Sequence, residues 1–477
     1  MKKSLSSVLY FLGLFLLSVL FFFPFWITWH YGQVSLDQIL FHLNTPWSGI
    51  NPKVFSLLLK ELGFLSLTLT LLWLILPVLG PASFKAWTDR HKKALLFSFF
   101  IFVIASFHFH FNLVDWYHQI FGKPTLFYEE NYVRPDPSNI RFPTQKRNVI
   151  YVMMESMENT FAFTGTNGQS LIPDLQKLAD ENYSFRGYYP SVGTQWTSAS
   201  MVAGLCGLPL KSLSTKTVQF ATFLPNVTAV TEIFKQNGYT LTFLMGSDAS
   251  YANKEVFLKD HGFDAVLDFP IEARETVDPS DMGSEWGLKD RVLFERARQE
   301  LTRLSSSGQP FFMGILTLDM HPPEGYLDPA CPIVDEDMFN NVVHCTNLIV
   351  TDFVKWVQKQ PFAANTTLIL TGDHLAWGAD KYADRRAALE KNRREALFIL
   401  INPVTAPERT QRQWAMYDMA PTILESVGAF VPRHRFGLGT SLLSDEKTLL
   451  EKQPPEQIDH LIESKSILYR SLCGIQE

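Results

Sequence analysis

Three apolar runs in this chain end on residues that can do chemistry. VIYVMM leads into Glu155-Ser156, ILTLDM into His321, and LILTG into Asp373-His374. Carboxylates and imidazoles delivered together offer oxygen and nitrogen ligands of intermediate hardness, suited to a divalent ion such as Mn²⁺, Zn²⁺ or Mg²⁺. Each residue also has a plainer role: Glu155 as a helix cap, His321 as the opening of the Pro322-Pro323 turn, Asp373 in a Gly-Asp turn. Three such endings on one sheet edge weigh against three separate coincidences.

A metal there needs something to activate, and SVGTQWTSASMVAGLCG supplies Thr197, after a glycine-containing turn and before helix-forming residues. Thr197 can be an N-cap, the commonest role for its type. It can also be a metal-activated nucleophile, with the helix amino end stabilising negative charge on an attacked phosphate. The two roles are compatible.

The elements that must hold these residues are short and continuously apolar: RNVIYVMM, YTLTFLM, PFFMGILTL, TTLILT and EALFILI, separated by helical patterns such as DRVLFERARQELTRL and CTNLIVTDFVKWVQKQ. Strands apolar on both faces belong to a parallel sheet covered by helices, and ligands of such sheets bind at the carboxyl ends of the strands. The expected fold is a set of N-terminal transmembrane helices followed by an α/β domain, its mostly parallel sheet covered by helices on both faces.

The 477 residues divide into two compositions. Residues 1–147 carry 13 Lys and Arg against 7 Asp and Glu, a net of +6, and the remaining 330 carry 29 against 41, a net of −12. An acidic globular part without basic runs excludes nucleic acid as a partner. Residues 4–29, 62–84 and 94–114 hold no formal charge and, at 26, 23 and 21 residues, reach the roughly 20 needed to cross a bilayer. The first alanine is Ala82, so no small-x-small cleavage site follows the first span, which is expected to stay.

Lys2 and Lys3 precede span one, and Lys85, Arg90, Lys92 and Lys93 crowd the stretch between spans two and three. By the positive-inside tendency both face the cytoplasm, and the chain after span three lies outside. His108 and His110 read as neutral imidazoles near a helix end rather than a proton path. The expected division is a membrane domain at 1–115, a proline-rich linker at 116–147, a catalytic domain at 148–445 and a tail at 446–477. Cys331 and Cys345, 14 residues apart in a polar segment, fit a disulfide in an oxidising compartment, with two free thiols as the alternative.

The ordered set Glu155, Thr197, His321 and Asp373-His374, with GFDAV near Gly262, EWGLKD at 285–290 and YDMAPTILESVG near Asp418, resembles the sulfatase-like branch of the alkaline phosphatase superfamily. Within it the chain looks most like the lipoteichoic acid synthase and phosphoglycerol transferase I group, over about residues 147–444. WTSASMVAGLCGLPL and the Cys331/Cys345 pair look like the periplasmic phosphoglycerol transferases that modify osmoregulated glucans.

The resemblance implies a single divalent ion, Mn²⁺ first among the candidates, held by Glu155, Thr197, Asp373 and His374, with Thr197 as the nucleophile. It implies substrate contacts from His321, Trp286 and Asp290. It further implies an enzyme integral to a bacterial inner membrane, with a periplasmic catalytic domain, moving phosphoglycerol from phosphatidylglycerol to a glycan or glycerol-phosphate polymer. The alternatives are phosphoethanolamine transfer and a catalytically inactive lipid- or glycan-binding relative. Lipoteichoic acid synthases usually have five membrane helices where three are counted here, which bears on the acceptor. Sulfate ester hydrolysis is disfavoured, because Cys206-Gly-Leu-Pro-Leu lacks the Cys/Ser-x-Pro-x-Arg order that formylglycine formation requires.

Overall fold

The computed structural model describes residues 2–32, 34–48, 50, 52–212, 222–270, 277–284, 286–321, 325–377 and 393–475. Glu285, Pro322 and Pro323, named above for their motifs, lie outside the described residues. The chain forms two compact units, one of residues 1–36 and 50–117, the other of residues 37–49 and 118–477.

The first unit contains three helices long and apolar enough to cross a membrane, Ser7–Tyr31, Val54–Leu79 and Ala82–Phe111. The last two are displaced toward the N-terminus from the expected 62–84 and 94–114. Charged side chains leave a helix's backbone hydrogen bonds intact, whereas Gly80 and Pro81 interrupt them. The break therefore falls at Gly80-Pro81, and Lys85, Arg90, Lys92 and Lys93 ride on the first turns of the third helix rather than in a loop. Three polar side chains inside this unit find partners: the Ser18 and Thr70 hydroxyls lie 3.2 Å apart, and Ser106 donates to the Phe21 carbonyl at 3.3 Å. His110 spends its Nδ1 on the Ser106 carbonyl at 2.8 Å, in keeping with a structural imidazole.

In the second unit seven strands form one sheet: β1 (Asn148–Met154), β2 (Tyr183–Ser184), β3 (Thr240–Met245), β4 (Ala265–Leu267), β5 (Phe311–Leu316), β6 (Thr366–Gly372) and β7 (Phe398–Ile401), in the order β2-β7-β6-β1-β5-β3-β4. The five strands from β6 to β4 are parallel, β7 runs antiparallel to β6, and the two-residue edge strand β2 runs antiparallel to β7 and so in the direction of the five. Alternation across β1 explains its unbroken apolar run. Val149, Tyr151 and Met153 enter one hydrophobic core, and Ile150, Val152 and Met154 enter the core on the opposite face. Each such fully buried side chain contributes roughly 1.5–3 kcal/mol. Helices Asp290–Ser306 and Met338–Gln358 cover the second face, and Thr197–Cys206 and Met419–Ser426 the first.

Two expected boundaries differ. The stretch from 446 onward is not a tail: helices Pro455–Glu463 and Ile467–Leu472 place Ile458, Ile462, Tyr469 and Leu472, all fully buried, in the same core as β1. The expected linker likewise gives Phe127, Tyr128, Tyr132 and Ile140 to that core. Apolar residues three or four apart, as in Ile458 and Ile462, form a face that must be covered, and the domain covers it.

Candidate metal and phosphate site

The carboxyl ends of β1 and β6, adjacent in the sheet, bring Glu155 and Asp373-His374 together. One ligand atom from each of Glu155, Asp373 and His374 lies within 4.8 Å of the others, and all three residues are buried. The turn out of β1 is conformationally demanding. Ser156 takes φ of +55°, a left-handed value costly for a residue with a Cβ. Its amide is thereby held at 2.9 Å from Asp373 Oδ1, and its hydroxyl donates to Glu155 Oε1 at 2.7 Å.

His374 is oriented by its other nitrogen. Nδ1 lies 2.9 Å from the Leu375 carbonyl, which requires a proton on Nδ1 and leaves Nε2 facing Glu155 Oε1 and Asp373 Oδ2, each at 3.5 Å. Trp377 stacks on the ring at 5.3 Å and donates its indole N–H to the Gln195 carbonyl. Glu158, fully buried, accepts the Ala376 amide at 2.7 Å and pairs with Arg394, bracing the turn after His374 from below.

Thr197 completes the cluster from another direction. The helix Thr197–Cys206 begins with Trp196 as its N-cap, so Thr197 is its first helical residue and not the cap, and the capping role weighed from sequence is not the one it takes. Its hydroxyl donates to Glu155 Oε2 at 3.3 Å and lies 3.4 Å from His374 Nε2. The turn before it needs Gly193, at φ +71°, where a Cβ would sit 2.7 Å from the Leu210 carbonyl oxygen. Ser200, one turn on, donates to the Asp373 carbonyl at 2.5 Å and ties this helix to the end of β6.

Electrostatics favour a cation at this position. Burial pushes the Asp373 carboxyl above the usual range and Glu155 adds to the rise, with His374 opposing it. Burial alone would depress the His374 imidazole, but Asp373 and Glu155 together raise it. Asp373 Oδ2 is buried with no hydrogen-bond partner among the described residues. Two buried carboxylates, one of them with an orphaned oxygen, and an aimed imidazole nitrogen fit one divalent ion, and the Thr197 hydroxyl lies beside them.

β5 and the loop before Asp290 build the adjoining wall. His321, after β5, packs against Trp286 with ring centroids 4.6 Å apart. Asp290 is placed otherwise. It is fully buried and its two oxygens accept the amides of Leu318 and Asp319, so it shapes the chain leading to His321. Asp319 returns the contact through the Asp290 amide at 3.0 Å, and burial drives both carboxyls upward.

Lys254 and Tyr251 belong to the same region and are not legible as site residues in the sequence. The Lys254 ammonium is almost buried, donates to the Tyr251 carbonyl at 2.7 Å and sits over the Tyr251 ring. Burial lowers it to about 8 against the pull of Asp248, Asp268 and Glu155. Lys254 follows β3, but eight residues separate it from Met245, too many for a strand-end signal to reach.

A profile of the family described as Sulfatase matches residues 147–429. Phosphoglycerol transferase I from Xanthomonas campestris pv. campestris (strain B100) is 31% identical over 316 residues, covering 64% of this chain and 44% of that protein. The chain thus spans less than half the length of this curated relative. A solved alkaline phosphatase superfamily protein from Vibrio parahaemolyticus superposes with a TM-score of 0.54 at 21% identity, over 69% of this chain and 81% of that one. A lipoteichoic acid synthase from Listeria monocytogenes gives 0.54 at 19%, over 67% and 80%. These structures share the fold described above. With more than half of its length matched by the family profile, the chain belongs to the sulfatase family.

Proposed function

We propose that the chain is a membrane-anchored, metal-dependent phosphoglycerol transferase that takes phosphoglycerol from phosphatidylglycerol and delivers it to an extracytoplasmic glycan or polymer hydroxyl. The observation that carries this is the Thr197 hydroxyl, at the amino end of a helix, 3.3 Å from Glu155 and 3.4 Å from His374. Similarity to phosphoglycerol transferase I supports the phosphoglycerol headgroup.

The ion, when bound, supplies Lewis-acid stabilisation of the threonine oxygen and of phosphoryl charge; Mn²⁺ is the first candidate. In the first transfer Thr197 Oγ1 gives up its proton and forms a bond to phosphorus as the bond to the diacylglycerol oxygen breaks, and that oxygen takes up one proton and leaves as diacylglycerol. The amides at the start of the helix Thr197–Cys206 have no intrahelical acceptor and offer donors to the phosphate. His321 serves the phosphate as a hydrogen-bond donor or the departing oxygen as a proton source. In the second transfer an acceptor hydroxyl bonds to phosphorus as the bond to Thr197 Oγ1 breaks, and the proton the acceptor loses is balanced by the one Thr197 Oγ1 regains.

The Cys331–Cys345 disulfide supports an oxidising, extracytoplasmic setting for this domain, as does the clustering of Lys and Arg ahead of the first and at the start of the third apolar helix. Mass spectrometry of the purified chain after incubation with phosphatidylglycerol and Mn²⁺ tests the chemistry. A phosphoglycerol adduct on the peptide containing Thr197 is expected. A phosphoethanolamine adduct from phosphatidylethanolamine would replace the donor, and the absence of any adduct with either lipid would remove the covalent mechanism.

A further inference from the structure

The stretch between the first two apolar helices belongs by contact to the second unit, as residues 37–49. It includes most of the helix Leu36–Asn44. Phe41, almost fully buried, lies 6.2 Å from the ring of Trp196, the residue before Thr197, and 6.3 Å from Phe223. The next residue, His42, stacks on Tyr251 with centroids 5.5 Å apart and planes within 10°. Tyr251 packs on Trp286 at 5.4 Å, and Trp286 on His321 at 4.6 Å. Four rings from four separate stretches of chain thus form one continuous row ending at the phosphate side of the site.

We propose that this inter-helix segment is a wall of the donor pocket and that His42 is a positioning residue, holding Tyr251 and Trp286 in register with His321 for a phospholipid headgroup. The proposal rests on the donor chemistry given above. Trp286 and His321 stand on loops, and loop side chains keep a productive geometry only when other groups lock them. Tyr251 is the lock's centre, because its carbonyl and its ring both hold the Lys254 ammonium, the cation whose field reaches Glu155. A shift of Tyr251 therefore displaces the aromatic wall and the cation together.

The imidazole is suited to a packing role. Burial, then the Lys254 and His321 charges facing it, lower it to about 4, so it is neutral across the working pH range. Its Nδ1 is buried with no hydrogen-bond partner among the described residues, so no bond of that nitrogen competes with the stacked orientation. The segment also offers what a donor site for lipids needs. Only residues 32–35 separate the first apolar helix, Ser7–Tyr31, from the helix carrying Phe41 and His42, so this wall is chained directly to a membrane span.

Full-length protein carrying His42→Ala or His42→Phe is compared with the parent, following diacylglycerol release from phosphatidylglycerol vesicles with Mn²⁺. His42→Ala is expected to raise KM about fivefold, the scale of one lost aromatic stack, with kcat held within about twofold and Mn²⁺ affinity unchanged. His42→Phe keeps a flat ring and is expected to restore KM to within about twofold of the parent. Should His42→Ala fold poorly, His42→Leu, which fills the volume without a flat face, carries the same expectation. An unchanged KM in His42→Ala, or a His42→Phe enzyme as impaired as His42→Ala, overturns the positioning role. A parent that turns over phosphatidylethanolamine vesicles instead removes the phosphoglycerol assignment, and the same KM ratios measured on that lipid still decide the role of His42.

Discussion

The Thr197 hydroxyl lies 3.3 Å from the Glu155 carboxylate, a contact between the first turn of a helix and the end of a strand 42 residues earlier in the chain. Because Thr197 is not the helix cap, removing its hydroxyl takes away no capping bond. Thr197→Ala is therefore expected to melt within a few degrees of the parent, on the order of a surface substitution, while releasing no diacylglycerol from phosphatidylglycerol. Thr197→Ser should retain partial activity. Turnover by Thr197→Ala at a rate comparable to the parent would show that another group carries the attack.

Asp373 presents one oxygen to two amides and leaves the other without a partner among the described residues. Asp373→Asn keeps the size of the side chain and removes its charge. Its Mn²⁺ affinity, measured by calorimetry on the full-length protein, is expected to fall by more than about 10-fold. Equal affinity in parent and variant would place the ion elsewhere.

Glu158 is fully buried and its cationic partner is Arg394, which also donates to the Ala376 carbonyl. Arg394→Ala leaves a buried carboxylate uncompensated and is expected to lose about 3–5 kcal/mol of stability in urea denaturation. Arg394→Lys should lose less, since it keeps the charge but not the fork. A loss below about 1 kcal/mol for Arg394→Ala, the level of a surface pair, would mean that solvent or another donor replaces the arginine.

Cys331 and Cys345 are joined, while Cys206 and Cys473 are free and buried. Closing a loop of 14 residues restricts the unfolded chain by about 3 kcal/mol. The double variant Cys331→Ser/Cys345→Ser is expected to lose stability on that scale, and non-reducing peptide mapping of the parent should recover the joined peptides. Alkylation of both thiols without reductant would contradict the bridge.

Asp418, fully buried, accepts the amides of Ala415 and Thr440, and burial raises its carboxyl from 3.8 to about 7. Between those values the folded chain binds more protons than the unfolded one. Asp418 therefore supports the fold most below about pH 4, and that support is lost as pH rises through about 7. Asp418→Asn does not titrate. The gap in melting temperature between parent and Asp418→Asn should narrow from pH 5 to pH 8; a gap that widens would reverse the assigned direction.

The strands and the carboxylates and imidazole at their ends were legible in the sequence because both follow local rules. A strand buried on two faces carries a continuous apolar run, as over residues 149–154 of β1, and the residues that leave such a strand at its carboxyl end, Glu155 and Asp373-His374, sit where an open sheet exposes its crevice. Hydropathy likewise marked three spans, since crossing a bilayer demands a long uncharged run. Their edges were misplaced because charge marks solvent, whereas Gly80-Pro81 breaks hydrogen bonds, and only the second ends a helix.

Tertiary structure alone decided the rest. That Asp290 turns inward to hold the Leu318 and Asp319 amides, that Lys254 reaches the site from eight residues beyond its strand, and that Phe41 and His42 join a row of rings with Tyr251 are all consequences of long-range packing. Residues 446–477 read as a tail because their apolar positions are few and short-ranged, yet Ile458, Ile462 and Tyr469 are fully buried in the main core. Local pattern reports which faces must be covered; which partner covers them depends on contacts between residues hundreds of positions apart, such as the Tyr128 hydroxyl on the Ile462 carbonyl, and no spacing within one segment encodes those.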